Sequence, residues 1–160
     1  MKQDRFLIGI LIAISLLVVI SLVLFFVRKD NVAYLPGDSP QEVVHNYALA
    51  IHQGDYQKAY TYLADKATKP TYEQFRRAFL THQINVEQNS LRVGQADIHG
   101  DEAIVQVVVF YSPGDPFSNG WSSNETAVLI RQNGKWLLTQ MPPGYWGWEW
   151  YQPALEPVRE

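Results

Sequence analysis

The chain has 160 residues with 13 Lys or Arg, 16 Asp or Glu, and no cysteine. Residues 30–160 hold nine basic and fifteen acidic side chains, a balance of −6, which excludes nucleic acid as a partner because phosphate binding needs clustered cations. Without cysteine there are no disulfides and no thiolate sites, and the four histidines form no compact metal motif, so we predict no metal and no other cofactor.

An apolar segment near the N-terminus predicts a membrane-spanning helix. Residues 6–27, from Phe6 through Leu16 to Val27, contain no charge and no proline. A helix of that length spans about 33 Å, which is enough to cross the hydrocarbon core of a bilayer. The alternative is a cleaved signal peptide, whose apolar core would be shorter and followed by a small-x-small cleavage site. We therefore predict a short tail over residues 1–5 and an uncleaved, single-pass anchor over 6–27 whose partner is the lipid bilayer.

The orientation of this anchor follows from its flanks. Two basic residues lie at each end, so the positive-inside rule is nearly balanced. Because the N-terminal tail is short and the long acidic part follows the helix, we predict a cell-membrane protein with its domain outside the cytoplasm. Residues 28–38, with Pro36 and Gly37, predict a linker that keeps the domain close to the bilayer.

Three helices are predicted after the linker. Ser39 and Glu42 form a capping box with Pro40 at the first helical position, and apolar residues at helical spacing follow until Gly54-Asp55 ends that helix. The second helix is predicted over residues 56–63. A second capping box, Thr71 with Gln74, opens the third helix, which ends near residue 81.

The pattern then changes to strands. Ala103–Tyr111 is rich in Val and Ile, as is typical of a central strand, and Asn133-Gly134 is a strong hairpin turn. Further strands are predicted to begin near Leu91 and to run over Thr126–Arg131 and Lys135–Gln140, with a loop over Ser112–Trp121. The order predicts an α+β domain over residues 39–141, in which three helices pack on a curved antiparallel sheet of about four strands.

Two segments carry a family resemblance. The run EVVHNYALAIHQGDYQKAYTYLAD contains the pattern x-x-G-D-Y-x-x-A-Y-x-x-L, here from His52 to Leu63, and NGKWLLTQ closes the sheet. Over residues 39–140 the chain resembles the nuclear-transport-factor-2-like superfamily, whose fold is cone-shaped and cystatin-like, and it looks like a small membrane-anchored bacterial member of unknown function. The superfamily includes isomerases, dehydratases, ligand-binding proteins and interaction modules, so the resemblance implies a fold and no single activity.

Catalysis is considered for three residues. His52, Asp55 and His82 could form an acid–base group. The structural interpretation is stronger, since His52 lies where a cation favours a helix C-terminus and Asp55 suits a helix cap. Enzymes of the superfamily place an Asp, His or Tyr inside the cone, and no residue of this chain matches such a position. We therefore predict no catalytic residue.

The C-terminal segment over residues 142–160 is unusually aromatic. Trp146, Trp148 and Trp150 alternate, and in an extended chain they would point to one face as a stacking row for a sugar or a peptide, or as a belt at the lipid interface. The alternative is that the segment folds back and covers the domain. The tyrosines also allow two interpretations: they line a pocket, or they belong to the core. The candidate ligand- or partner-binding residues are Tyr47, Tyr60, Phe79, Tyr111, Trp146, Trp148 and Trp150.

Together these features predict a membrane-anchored, non-enzymatic accessory domain that binds a small apolar ligand or an envelope protein. Binding would use the cone mouth or the aromatic C-terminal segment. Two alternatives stay open: an isomerase- or dehydratase-type enzyme that uses the cone pocket, and a structural ectodomain of an envelope assembly.

Overall fold

A computed structural model describes residues 3–27, 33–112 and 119–152. The chain forms two compact units, Met1–Ala33 and Tyr34–Glu160. The first unit contains helix α1, Gln3–Val27. Its window Leu7–Leu24 has a mean hydropathy of 3.2 and no buried residue, so this helix is long and apolar enough to span a membrane. Leu16 is exposed, and the side chains of Phe6 and Val27 lie outside the described part.

The three predicted helices of the second unit are confirmed. Helix α2 is Pro40–His52, α3 is Tyr56–Thr61 and α4 is Tyr72–Leu80. The Oγ atom of Ser39 accepts a hydrogen bond from the Glu42 N–H at 3.3 Å, and the Glu42 carboxylate accepts one from the Ser39 N–H at 3.2 Å. This backbone hydrogen bond from Ser39, with others from Asp38 and Gly37, lowers the pKa of Glu42 against a smaller opposing effect of burial. Asp55 caps α3, and Thr71 with Gln74 caps α4, as predicted.

The sheet is a four-stranded antiparallel meander in the order β1-β2-β3-β4. Its strands are β1 Asn89–His99, β2 Glu102–Tyr111, β3 Trp121–Gln132 and β4 Lys135–Gln140. A bulge in β1 between Val93 and Ala96 bends the sheet, and a Cβ atom at Gly94 would lie 2.9 Å from the Gln106 carbonyl oxygen. The predicted α+β class, with helices on a curved antiparallel sheet, is therefore confirmed.

Strand β3 is longer than predicted. It begins at Trp121 rather than Thr126, because Trp121 pairs with Tyr111 and β2 holds the following residues in register. The sequence of this first half, WSSNE, is polar and lacks the β-branched residues that mark a strand. The predicted loop is correspondingly shorter, and its residues 113–118 lie outside the described part.

The core lies between the helices and the concave face of the sheet. Alternate residues of β2 are buried there, and α2 packs across β1, β2 and β4. The outer edge of β4 is covered by the chain that follows α3. The Ala64 N–H donates to the Leu138 carbonyl oxygen at 2.9 Å, and the Leu138 N–H donates to the Tyr62 carbonyl oxygen at 2.8 Å.

The segment Tyr34–Asp38, predicted as the end of the linker, packs on α2 as a strap. The Leu35 N–H donates to Asn46 Oδ1 at 2.8 Å, and Asn46 Nδ2 donates to the Leu35 carbonyl oxygen at 2.9 Å. Asn46 is only 2% exposed. Tyr34 reaches Gln53 at the other end of α2 with a hydrogen bond of 3.0 Å. The strap therefore belongs to the second unit, and residues 28–32 of the predicted linker lie outside the described part.

Candidate functional site

The interior of the cone is filled by aromatic side chains of the chain itself. Tyr47 on α2 is fully buried, with its ring centroid 6.4 Å from that of Phe75 and 6.0 Å from that of Trp146. Its hydroxyl donates to the Tyr145 carbonyl oxygen at 2.8 Å. Burial raises the pKa of Tyr47, so the group is a neutral donor under physiological conditions. Tyr47 is thus a core residue that fastens the C-terminal segment to α2.

The C-terminal segment closes the cone. After β4 the chain makes a 3-10 turn, Pro143–Tyr145, and a further turn that brings Trp150 onto α4. The Trp150 ring lies 5.2 Å from Phe75 and 6.1 Å from Phe79, measured between centroids, and 5.1 Å from Trp146. Residues 142–152 therefore fold back over the domain, as in the second of the two arrangements considered. Residues 153–160 lie outside the described part.

The extended tryptophan row, one of the two arrangements considered for this segment, is not the one in the structure. Trp146 and Trp150 are 6% and 5% exposed, whereas Trp148 is 77% exposed. The turn has a steric cause at Gly147, where a Cβ atom would lie 2.5 Å from the Trp150 ring. Only glycine leaves room for the Trp150 ring against the backbone at this position, and Trp148 points outward from the turn.

The other predicted contact residues separate into core and surface. Phe79 is buried, and Tyr60 packs against Phe75 while its hydroxyl donates to the Pro70 carbonyl oxygen at 2.8 Å. Tyr111 lies apart from them on β2. Among the seven candidates, Trp148 is exposed, Tyr60 and Tyr111 are half-buried, and the other four are buried.

A surface cleft of about 340 Å³ lies beside Trp148. Its walls include the edges of Trp146, Trp150 and Tyr151, and its polar groups come from β4 and the chain end. The lining residues are Thr139, Gln140, Met141, Pro143, Trp146, Trp148, Trp150, Tyr151 and Gln152. Gln152 Nε2 also donates to the Trp148 carbonyl oxygen at 3.2 Å, which holds the turn that presents this tryptophan. We call this feature the tryptophan cleft.

A second cluster lies on the first half of β3. The Trp121 ring stacks on Tyr111 with centroids 4.0 Å apart and an interplanar angle of 16°. Ser123 and Glu125 follow Trp121 on the same face of the strand, and Ser123 Oγ donates a hydrogen bond to Glu125 Oε1 at 2.6 Å. Burial, and secondarily the charge of Glu125, raises the pKa of Tyr111. The cluster Tyr111, Trp121, Ser123 and Glu125 combines a flat aromatic stack with an oriented carboxylate.

Sequence reasoning missed three members of this cluster because it placed Trp121 in a loop. A signal was present in the period of two: Trp121, Ser123 and Glu125 continue the inward-facing positions of Ala127 and Leu129. Polar residues at core-facing positions of a strand are unusual and indicate a functional surface.

The histidine and aspartate candidates each have a different local environment. His52 Nε2 and the Tyr145 hydroxyl share a hydrogen bond of 2.8 Å, and burial lowers the pKa of His52. Asp55 caps α3, and its Oδ1 atom accepts a hydrogen bond from the Lys58 N–H at 3.0 Å. His82 lies just beyond α4 in a left-handed conformation with φ 56°. Within residues 3–27, 33–112 and 119–152, no group of three or more His, Asp or Glu side chains could hold a metal ion.

Comparison with known proteins yields relatives by structure alone. No family model matches the sequence. No curated protein matches it either. A protein of unknown function with a cystatin-like fold from Nostoc punctiforme is 18% identical, with a TM-score of 0.46, and the match covers 61% of this chain and 80% of that one.

Two other solved structures are similar. An uncharacterized cystatin-fold protein from Novosphingobium aromaticivorans is 18% identical over 61% of this chain and 92% of its own, with a TM-score of 0.43. A putative NTF2-like transpeptidase from Campylobacter jejuni is 18% identical over 62% of this chain and 96% of its own, with a TM-score of 0.42. These three structures are described as proteins of cystatin-like or NTF2-like fold.

Proposed function

We propose that this protein is a membrane-tethered, non-enzymatic accessory domain that binds a partner protein of the cell envelope at the tryptophan cleft. The observation that carries the proposal is the exposure of Trp148, 77%, at the rim of a cleft whose walls are otherwise buried rings. Tryptophan is enriched among the residues that dominate protein–protein binding energies, and a rigid support lowers the entropy that is lost on binding.

The filled interior favours this surface over a pocket in the cone. Tyr47, Phe75 and Trp150 occupy the space that a ligand or substrate would need. Within the described residues, Asn46 is the buried polar side chain, and its amide is engaged by the strap. An isomerase or dehydratase would need a polar group facing an internal pocket. The polar side chains at inward-facing positions of β3, Ser123 and Glu125, are half-buried and hydrogen-bonded to each other, so these contacts support a binding function.

The dimensions and chemistry of the cleft favour a protein as the ligand. A volume of about 340 Å³ is near the lower end for small-molecule sites but suits one or two apolar side chains. The Thr139 hydroxyl and the Gln140 and Gln152 amides can hydrogen-bond a peptide backbone at the rim. In the proposed arrangement, α1 is a single-pass anchor and the domain lies outside the cytoplasm.

The test uses the absence of cysteine from the native chain. In the full-length protein, a membrane-impermeant thiol-reactive photo-crosslinker is attached on intact cells at Glu149→Cys, beside Trp148, or at Leu80→Cys, an exposed position on α4. We expect labelling of intact cells and one predominant protein adduct from position 149, which is absent from position 80. Adding Trp148→Ala to the Glu149→Cys chain should abolish the adduct.

The affinity for the purified partner identified in this way measures how much Trp148 contributes to binding. Trp148→Ala should weaken binding by about 30-fold, which corresponds to about 2 kcal/mol, while Leu80→Ala should leave it unchanged. An adduct that persists in Trp148→Ala, or one formed only with lipid or a small molecule, would contradict the partner-protein proposal. Failure to label intact cells would contradict the proposed orientation alone.

A further inference from the structure

The first half of β3 has an edge that no strand among residues 3–27, 33–112 and 119–152 pairs with. Strand β4 pairs with β3 only from Val128 onward, because β4 ends at Gln140 and the chain then turns into the core at Met141. Among the described residues, no strand pairs with Trp121–Ala127 on the side opposite β2. We call this segment the β3 edge.

We propose that the β3 edge binds an extended segment of a partner protein as an additional strand, with one basic side chain of that segment held by the Glu125 carboxylate and another by the face of Trp121. An added strand would lie in line with β4 and would pair with the backbone groups of β3 that point away from β2. This mode of recognition obtains its affinity from main-chain hydrogen bonds and its specificity from alternate side chains.

The β3 edge lacks most of the usual protection against strand addition, and its one protective feature is the inward-facing carboxylate of Glu125, which a basic side chain would neutralise. Such edges are normally covered, or interrupted by proline, bulges or lysine. The outer edge of β4 illustrates a covered edge, because Tyr62 and Ala64 take up the Leu138 backbone groups. By contrast, Trp121–Ala127 contains no proline and no basic residue, and its pairing with β2 is regular throughout.

The side chains of this edge have the chemistry of a cation site. Trp121 is 60% exposed, and its ring is fixed by stacking on Tyr111. The Ser123 hydroxyl orients the half-buried Glu125 carboxylate at 2.6 Å. Trp121 and Glu125 lie roughly 13 Å apart along the strand, so each can bind a separate ammonium or guanidinium group, Trp121 by cation–π attraction and Glu125 by ionic attraction. Because these side chains share one face of the strand, alternate residues of an added strand would meet them.

Charge complementarity favours a basic partner over a second copy of this chain. Residues 30–160 have a balance of −6, so the domain attracts basic segments over a longer range. A second copy would bring its own Trp121–Ala127 edge, which contains Glu125 and no counterion. Like charges brought together across a strand pair are destabilising, and self-pairing would leave both carboxylates uncompensated.

The experiment compares three synthetic peptides as long as the β3 edge. The first alternates Val and Lys, the second replaces each Lys by Glu, and the third keeps Lys but carries N-methyl groups on alternate residues, which blocks strand pairing. Binding to the full-length chain in detergent micelles is measured by fluorescence anisotropy, and amide hydrogen exchange is followed over residues 121–127.

We expect saturable binding of the Lys peptide, with protection of the amides that point away from β2. Both control peptides should bind about tenfold more weakly or not at all. Glu125→Gln and Trp121→Ala should each reduce the affinity for the Lys peptide by a similar factor. Trp148→Ala should leave it unchanged, which separates this site from the tryptophan cleft and makes the two proposals independently testable.

Three results would overturn the inference. They are no saturable binding of the Lys peptide up to about 1 mM, equal binding of the N-methylated peptide, and equal binding by Glu125→Gln. Protection of the edge amides without any peptide, together with a dimer in sedimentation, would replace the proposed partner by a second copy of the chain.

Discussion

Replacing Trp150 by alanine is expected to lower the free energy of unfolding by about 3–5 kcal/mol, the range for truncating a large buried aromatic residue. The Trp150 ring is 5% exposed and contacts Phe75, Phe79 and Trp146, so its removal leaves a cavity between the C-terminal segment and α4. Urea unfolding of the full chain in detergent micelles, followed by circular dichroism of the domain, measures the loss.

The matched control is Trp148→Ala. It removes the same type of side chain from an exposed position two residues earlier in the chain. It should change the free energy of unfolding by less than about 0.5 kcal/mol. Trp150→Phe should be intermediate, because it retains part of the aromatic contact. If Trp150→Ala and Trp148→Ala were equally mild, the C-terminal segment would not be part of the core, and the cone would be open.

Asn46→Ala is the second substitution with a large expected effect, a loss of about 2–3 kcal/mol of unfolding free energy. Asn46 is 2% exposed and makes two hydrogen bonds to the Leu35 backbone, so its truncation leaves a donor and an acceptor of the strap without partners. We also expect faster proteolysis within residues 34–38, since the strap would separate from α2.

Gln53→Ala is the control for the strap. It removes the exposed hydrogen bond to the Tyr34 hydroxyl and should cost less than about 0.5 kcal/mol. Chemical denaturation of the same variants and their limited digestion by chymotrypsin, which can cleave after Tyr34, give two readouts. Equal stability and equal digestion of Asn46→Ala and Gln53→Ala would show that the strap does not contribute to the domain.

The features that could be predicted from sequence are those with local causes. Each helix start depends on residues within three positions of one another, as in Ser39 with Glu42 and Thr71 with Gln74. Likewise, the Asn133-Gly134 turn alone fixes the β3–β4 hairpin, with both residues at positive φ. Such patterns are readable because no distant part of the chain has to be known.

The C-terminal segment could not be predicted in this way. Alternation of Trp146, Trp148 and Trp150 is compatible with an extended strand, and only the tertiary contacts of Trp150 with α4 favour a turn. The decisive constraint at Gly147 is a close approach to a ring three residues further along the chain, which neither residue reveals by itself. Tertiary packing therefore overrides the period of two at this position.

The cluster on β3 was hidden for a related reason. Its polar sequence has weak strand propensity, and the strand exists because β2 supplies a complete partner from Tyr111 to Glu102. The strap was equally hidden, since Leu35 and Asn46 are eleven residues apart and meet only when the chain reverses along α2. In both cases the missing information is a non-local backbone contact.

The central claim is that the C-terminal segment closes the cone and leaves recognition to the outer surface. Incorporation of 5-fluorotryptophan into the full chain gives one ¹⁹F NMR signal for each of the five tryptophans. A soluble paramagnetic reagent should broaden the signals of Trp121 and Trp148, assigned from Trp→Phe variants, and spare those of Trp136, Trp146 and Trp150. Broadening of Trp146 and Trp150 to the extent seen for Trp148 would contradict the claim, because the cone would then be open to solvent.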